Sequence, residues 1–200
     1  SSTITNVVDF ATLSPIVDTV TAAGFTFSAP SGAQSIEILA GPVVSGVQTT
    51  RIQSTTSAFE RIDFANKTNV SITTGSAADT ISADFSTPAA GLTSAAIATG
   101  GGDDAIVLLG SAPTVKTRVV AGAGSGNSID LSNASSLAGL QGDVYAKATG
   151  GATTLKLDDS ARAAADAFTI YRGQVVGGPI RTFVDYGGGG AINVEVRGGT

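Results

Sequence analysis

Short runs in which apolar and polar residues alternate recur along this chain, and they predict strands. Thr3-Ile4-Thr5, Phe25-Thr26-Phe27, Ser35-Ile36-Glu37-Ile38, Arg61-Ile62-Asp63-Phe64, Phe168-Thr169-Ile170-Tyr171 and Ile192-Asn193-Val194-Glu195-Val196 all have a period of two. A strand turns successive side chains to opposite faces, so such runs bury one face and wet the other. Gly, Pro, Ser and Asn close most of them off. A helical pattern is confined to Ser160-Ala161-Arg162-Ala163-Ala164-Ala165-Asp166, which reads as two helical turns or as an Ala-rich loop.

A longer phrase recurs over these strands: an apolar alternation, a Gly-rich turn, an acidic or amide residue, and a second alternation. Val70 to Gly75 leads to Asp79-Thr80-Ile81, and Ile97 to Gly102 leads to Asp103-Asp104-Ala105-Ile106. Val119 to Gly124 leads to Asn127-Ser128-Ile129, and a weaker copy, Val144 to Gly151, leads to Leu155. From Ile81 to Ile106, Ile129 and Leu155 the steps are 25, 23 and 26 residues. Self-similarity at such a period marks a repeat architecture. Two organisations can use these strands, a coil of parallel strands or antiparallel β-sandwich repeats. No Asn-Gly or Asp-Gly dipeptide signals a hairpin. One turn of a coil needs about 25 residues for its short strands and corners. The expectation is therefore an all-β parallel β-helix, with Ile and Val stacked inside and Gly supplying positive φ at the corners.

A larger similarity overlies the short one. Residues 58–75 resemble 180–199 at an offset of 124 (Val70 to Val194), and residues 36–44 resemble 168–176 at an offset of 132. Residues 58–200 form the Gly-rich repeat region. Residues 1–57 lack the Gly-rich turn and read as variant rungs or an N-terminal capping region.

Charged residues make up only 14% of the chain, against roughly 25% in an average globular protein, so its polar face is hydroxyl and amide rather than ionic. That habit belongs to extracellular bacterial proteins and points to a cell-surface location. The net charge of −5 argues against a nucleic-acid partner, which needs a basic stripe. Lys67, Lys116, Lys147 and Lys156 are scattered in sequence, and so are the seven arginines. Absence of Cys removes thiolate chemistry, disulfides and Cys-type zinc sites. No apolar run reaches the roughly 18 residues of a membrane-spanning helix. The chain opens Ser1-Ser2-Thr3 and closes in another turn motif, Arg197-Gly198-Gly199-Thr200, as a processed or excised piece would.

At Gly100-Gly101-Gly102-Asp103-Asp104-Ala105-Ile106 the sequence resembles the Gly/Asp-rich turns of giant bacterial cell-surface, adhesin-like proteins and, more distantly, of RTX-type secreted proteins. The resemblance covers about residues 58–200 and is strongest from Asp158 to Gly199. It implies a structural repeat segment that takes part in a fibre, an adhesin stalk or a surface layer. Its partners would be neighbouring repeats, further copies of itself or surface polysaccharide. RTX nonapeptides bind Ca²⁺ through turn carbonyls and an Asp. Matching Asp104 and Ile106 to that pattern places Gly100 and Gly102 on two Gly positions, with Thr99 replacing the first. By that match Asp79, Asp103 and Asp104 are the candidate Ca²⁺ ligands. The spacing departs from back-to-back nonapeptides, and an Asp that caps a turn through backbone hydrogen bonds accounts for the same residues.

Catalysis finds little support. The chain has no His, so a Ser-His-Asp triad cannot form, and no G-x-S-x-G elbow is present. The doublets Asp103-Asp104 and Asp158-Asp159 place neighbouring carboxylates on opposite strand faces, which does not make an acid–base pair. A carbohydrate-active β-helix enzyme stands as the alternative class, and Tyr145, Tyr171 and Tyr186 are the rings that could stack on sugar. The expectation is a non-enzymatic protein without a required cofactor.

Overall fold

The computed structural model describes residues 15–163, 167–171, 173–177, 180–185 and 189–199. The expected strand at Thr3-Ile4-Thr5 and the end of the helical candidate, Ala164-Ala165-Asp166, lie outside them. Ser160 to Ala163 form turns and bends, and no helix occurs among the described residues.

The chain is all-β, and the fifteen strands among the described residues join one curled, mixed sheet. Two ladders of parallel strands carry most of it. The first runs through β2 (Ala22–Ser28), β6 (Lys67–Thr73), β8 (Ser94–Ala98), the leading halves of β10 (Lys116–Asp130) and β11 (Val144–Asp158), and β14 (Ile180–Asp185). The second runs through β3 (Ser35–Val44), β7 (Thr80–Phe85), β9 (Ala105–Ser111), the trailing halves of β10 and β11, and β15 (Ala191–Arg197). The returns that follow β7, β9 and β10 bury Leu92, Val115, and Leu137 with Leu140, respectively.

Like side chains meet in register. Ile36, Ile81, Ile106, Ile129, Leu155 and Val194 are successive partners along the second ladder. Ile81 and Ile129 are fully buried, and Ile36 and Ile106 nearly so. In the first ladder Phe27, Ile72, Ile97, Val119 and Ala146 line up the same way. Each fully buried Ile contributes about 2–3 kcal/mol, and these rows form a continuous core.

The sheet departs from the expected parallel coil where antiparallel strands enter. β4 (Val47–Ser54) folds back on β3 and pairs with β5 (Ile62–Phe64), which in turn lies parallel to β1 (Ile16–Asp18). At the other end β12 (Phe168–Tyr171), β13 (Gln174–Gly177) and β14 run as an antiparallel meander. The β3–β4 connection is the two-residue turn Ser45-Gly46, with φ of 50° and 80° between paired Val44 and Val47. That is the left-handed geometry of a tight hairpin, with Ser where Asn or Asp is usual. The missing Asn-Gly signal therefore did not mean a missing hairpin. The 124-residue offset also has no counterpart in the pairing, because Val70 belongs to the first ladder and Val194 to the second.

Polar contacts fasten the first antiparallel region. Arg51 grips the buried Asp63 carboxylate with Nε at 2.7 Å and a second nitrogen at 3.0 Å. Lys67, only 2% exposed, reaches Asp18 Oδ1 at 2.9 Å and the Val20 carbonyl. Phe25 stacks on Phe64 with ring centroids 5.0 Å apart, and Phe27 meets Phe59 at 4.8 Å.

Candidate functional site at the glycine corners

Between the two ladders the chain turns a corner once per revolution, and glycines pile over glycines there. A Cβ on Gly100 would lie 2.0 Å from the Gly75 carbonyl oxygen, and one on Gly122 would lie 1.5 Å from that of Gly100. Gly124 over Gly102 and Gly151 over Gly124 repeat the arrangement at 1.9 and 1.8 Å. The backbones approach closer than any side chain permits, which accounts for the Gly-rich phrase.

Beside these glycines stands a row of buried polar side chains. Asp79 Oδ1 accepts the Gln34 backbone N–H at 2.7 Å. Asp104 Oδ1 accepts the Asp79 N–H at 2.9 Å, and Asn127 Oδ1 accepts the Asp104 N–H at 2.8 Å. Each side chain thus bonds the corner of the preceding turn. Asn127 also donates through Nδ2 to the carbonyls of Gly122 (3.0 Å) and Gly124 (3.3 Å). Thr153 ends the row with a buried hydroxyl that has no hydrogen-bond partner among the described residues. The acceptor role needs one oxygen, so an amide serves as well as a carboxylate, and this explains Asn127 in the third copy.

The second oxygens of Asp79 and Asp104 are buried and meet no donor in hydrogen-bonding geometry among the described residues. Burial pushes the Asp104 carboxyl above the ordinary carboxylate range, and the Asp79 and Asp103 charges push the same way. The nearby Thr99 hydroxyl and the Asp79 N–H pull against that rise. Asp103 is different: it is exposed, and its Oδ1 accepts the Ser125 and Gly126 N–H groups at 3.0 and 2.8 Å. The structure therefore gathers Asp79 and Asp104 inside and sends Asp103 outward. Among the described residues no three or more His, Cys, Asp or Glu side chains cluster as a metal site. Among the described residues, Asp79 Oδ2 and Asp104 Oδ2 are the carboxylate oxygens that this row leaves without a donor.

The other acidic doublet is also divided. Asp158 Oδ1 accepts the Ser160 hydroxyl at 2.6 Å and its N–H at 3.0 Å, and Oδ2 lies 3.2 Å from Lys156 Nζ. The Ser160 hydroxyl above all, with Lys156 beside it, holds the Asp158 carboxyl down at about 2. Lys156 also bridges to Asp130 at 3.2 Å. Asp159 turns the other way and accepts the buried Leu137 N–H at 2.9 Å. Neither doublet leaves two carboxylates facing a common space. An open cleft of about 330 Å³ beside β4 and β5 is lined by Phe59, Glu60, Arg61, Gln53 and two serines, away from the corners. Of the three candidate rings, Tyr145 is exposed on β11, Tyr171 is placed by its strand alone, and Tyr186 lies outside the described residues.

The corner carboxylates were legible as turn residues, but their bonding across turns was not. A separation of 25 residues from Asp79 to Asp104, or 23 from Asp104 to Asn127, shows only once the register is known. Comparison with known families, curated proteins and solved structures returns no match.

Proposed function

We propose that this chain is a structural repeat segment of a secreted or cell-surface bacterial protein, a coil of the parallel β-helix type that serves as spacer or stalk. The observation that carries this reading is the row Ile36, Ile81, Ile106, Ile129, Leu155 and Val194, one residue per turn in unbroken register. Such a core is built by repetition rather than around a pocket. The low share of charge supports an extracellular setting, and the absence of His supports a role without acid–base catalysis near neutral pH. Antibodies against the folded chain should label unpermeabilised cells of the producing bacterium, or its medium. Signal only after permeabilisation overturns the surface reading, and turnover of acidic polysaccharides by the isolated chain overturns the non-enzymatic one.

One observation favours a calcium-dependent form of the same module: the two buried, undonated oxygens of Asp79 and Asp104. In that form the melting temperature rises with CaCl₂ and falls with chelator, and indifference to both removes it.

A further inference from the structure

Folding gathers basic residues that the sequence scatters. Lys116 and Arg118 stand two residues apart on β10, and Thr117 and Val119 between and after them are buried, so both cations leave the outer face of the first ladder. Arg118 is in register with Tyr145 of β11, and Val120 with Lys147. Lys116, Arg118 and Tyr145 are exposed, and Lys147 is half-buried. Neighbouring strands lie about 4.8 Å apart and alternate residues about 6.6 Å, so these groups share a patch on the order of 10 Å across.

The acids around the patch do not cancel it. Asp143, the residue just before β11, stands beside it, its carbonyl accepting the Thr117 N–H at 3.0 Å. Asp143, Tyr145 and Lys147 each interact with a neighbour. Lys116 and Arg118 take part in no ion pair among the described residues. A local surplus of positive charge therefore sits on a molecule whose net charge is −5. Away from it, the register row through Arg118 continues as Ala96, Ser71 and Thr26, small and uncharged. The face is a strip with cations and a phenol ring at one end and hydroxyl-bearing residues at the other.

We propose that this face binds a linear anionic polysaccharide that runs across the strands. Lys116 and Arg118 take its carboxylates, Tyr145 takes a sugar ring on its face, and Ser71 and Thr26 meet hydroxyls further along. The inference rests on the extracellular reading above. Duplex nucleic acid fits less well, because its affinity comes from neutralising many phosphates, which so small a patch on an acidic protein cannot do.

The test is affinity electrophoresis and calorimetry with polygalacturonate, neutral dextran and a DNA duplex, at low salt and at about 0.5 M NaCl. Polygalacturonate should bind the unmodified chain and weaken with salt, while dextran should not bind. K116S/R118S should lose about ten-fold in affinity with an unchanged melting temperature, and K116R/R118K should keep both binding and fold. Y145S should weaken binding at high salt as well as low. No binding of polygalacturonate, equal binding by K116S/R118S, or DNA binding as tight as polygalacturonate overturns the proposal. Surface labelling of cells is read independently, so failure here is distinct from failure of the extracellular reading.

Discussion

Two glycines in equivalent places along the repeat carry opposite burdens. At Gly122 a Cβ would stand 1.5 Å from the Gly100 carbonyl oxygen, whereas at Gly75 nothing lies within 4 Å. Gly122→Ala should therefore cost about 3 kcal/mol, because backbone rather than a pliable side chain must yield. Gly75→Ala should stay within about 0.5 kcal/mol. Urea unfolding of the pair checks this, and equal losses would mean that the corners are not stacked. Asp104 makes a second residue-scale prediction. Its folded-state pKa is raised by burial, so the folded protein holds the proton more tightly than the unfolded chain does. Stability contributed at this site is then greatest below the unfolded carboxylate pKa and declines as pH rises through the folded value. Asp104→Asn keeps Oδ1 to accept the Asp79 N–H, as Asn127 does one turn later. Denaturation from about pH 4 to pH 7 should show the variant gaining on the wild type as pH increases. Asp158 has the opposite sign: its carboxyl is held at about 2, so its contribution is present above the ordinary carboxylate pKa and disappears as pH falls toward 2.

At the scale of elements, the turn between β3 and β4 decides where parallel order gives way to antiparallel. Ser45 and Gly46 both have positive φ, which suits Asn-Gly better than Ser-Gly. Ser45→Asn should stabilise by about 0.5 kcal/mol, and Gly46→Val should destabilise by about 1–2 kcal/mol. Thermal melts of the two variants should shift in opposite directions. The same turn shows what was legible from sequence. Alternation identified β3, β5, β6 and β15, and the spacing of Ile81, Ile106, Ile129 and Leu155 matched their register, because a buried face writes itself into a period of two. The hairpin was hidden, since Ser in left-handed backbone has no distinctive sequence signal. The basic face was hidden for another reason: Arg118 and Tyr145 are 27 residues apart and meet only through the pairing of β10 with β11. The corner aspartates fell between these cases. Their residue type suggested turn capping, but the N–H groups that they accept belong to the preceding revolution.

At the scale of the whole molecule, among the described residues neither ladder is open at both ends. The first has a free edge at β2 and is closed beyond β14 by the β12–β13 meander. The second is closed before β3 by β4 and has its free edge at β15. Antiparallel hairpins at opposite corners thus blunt sheet edges that would otherwise template further strands. A second copy arriving head to tail would set β15 against β4, whose two neighbours are already β3 and β5. In the second ladder a further copy would therefore meet a strand that is already paired on both sides. All of this depends on the pairing of successive turns, and the natural absence of cysteine makes that pairing directly testable. Ser128 and Thr154 are register partners on adjacent parallel strands, at a spacing of about 4.8 Å that a disulfide can span. Cysteines at 128 and 154 should cross-link on mild oxidation and raise the unfolding midpoint by closing a loop in the unfolded chain. Cysteines at Ser82 and Thr154, three strands apart in the same ladder, should stay reduced because they lie beyond about 7 Å. Cross-linking of the distant pair in preference to the near one would show that successive turns do not stack in this order, and the corner bonds, the hydrophobic row and the basic face would lose their common foundation.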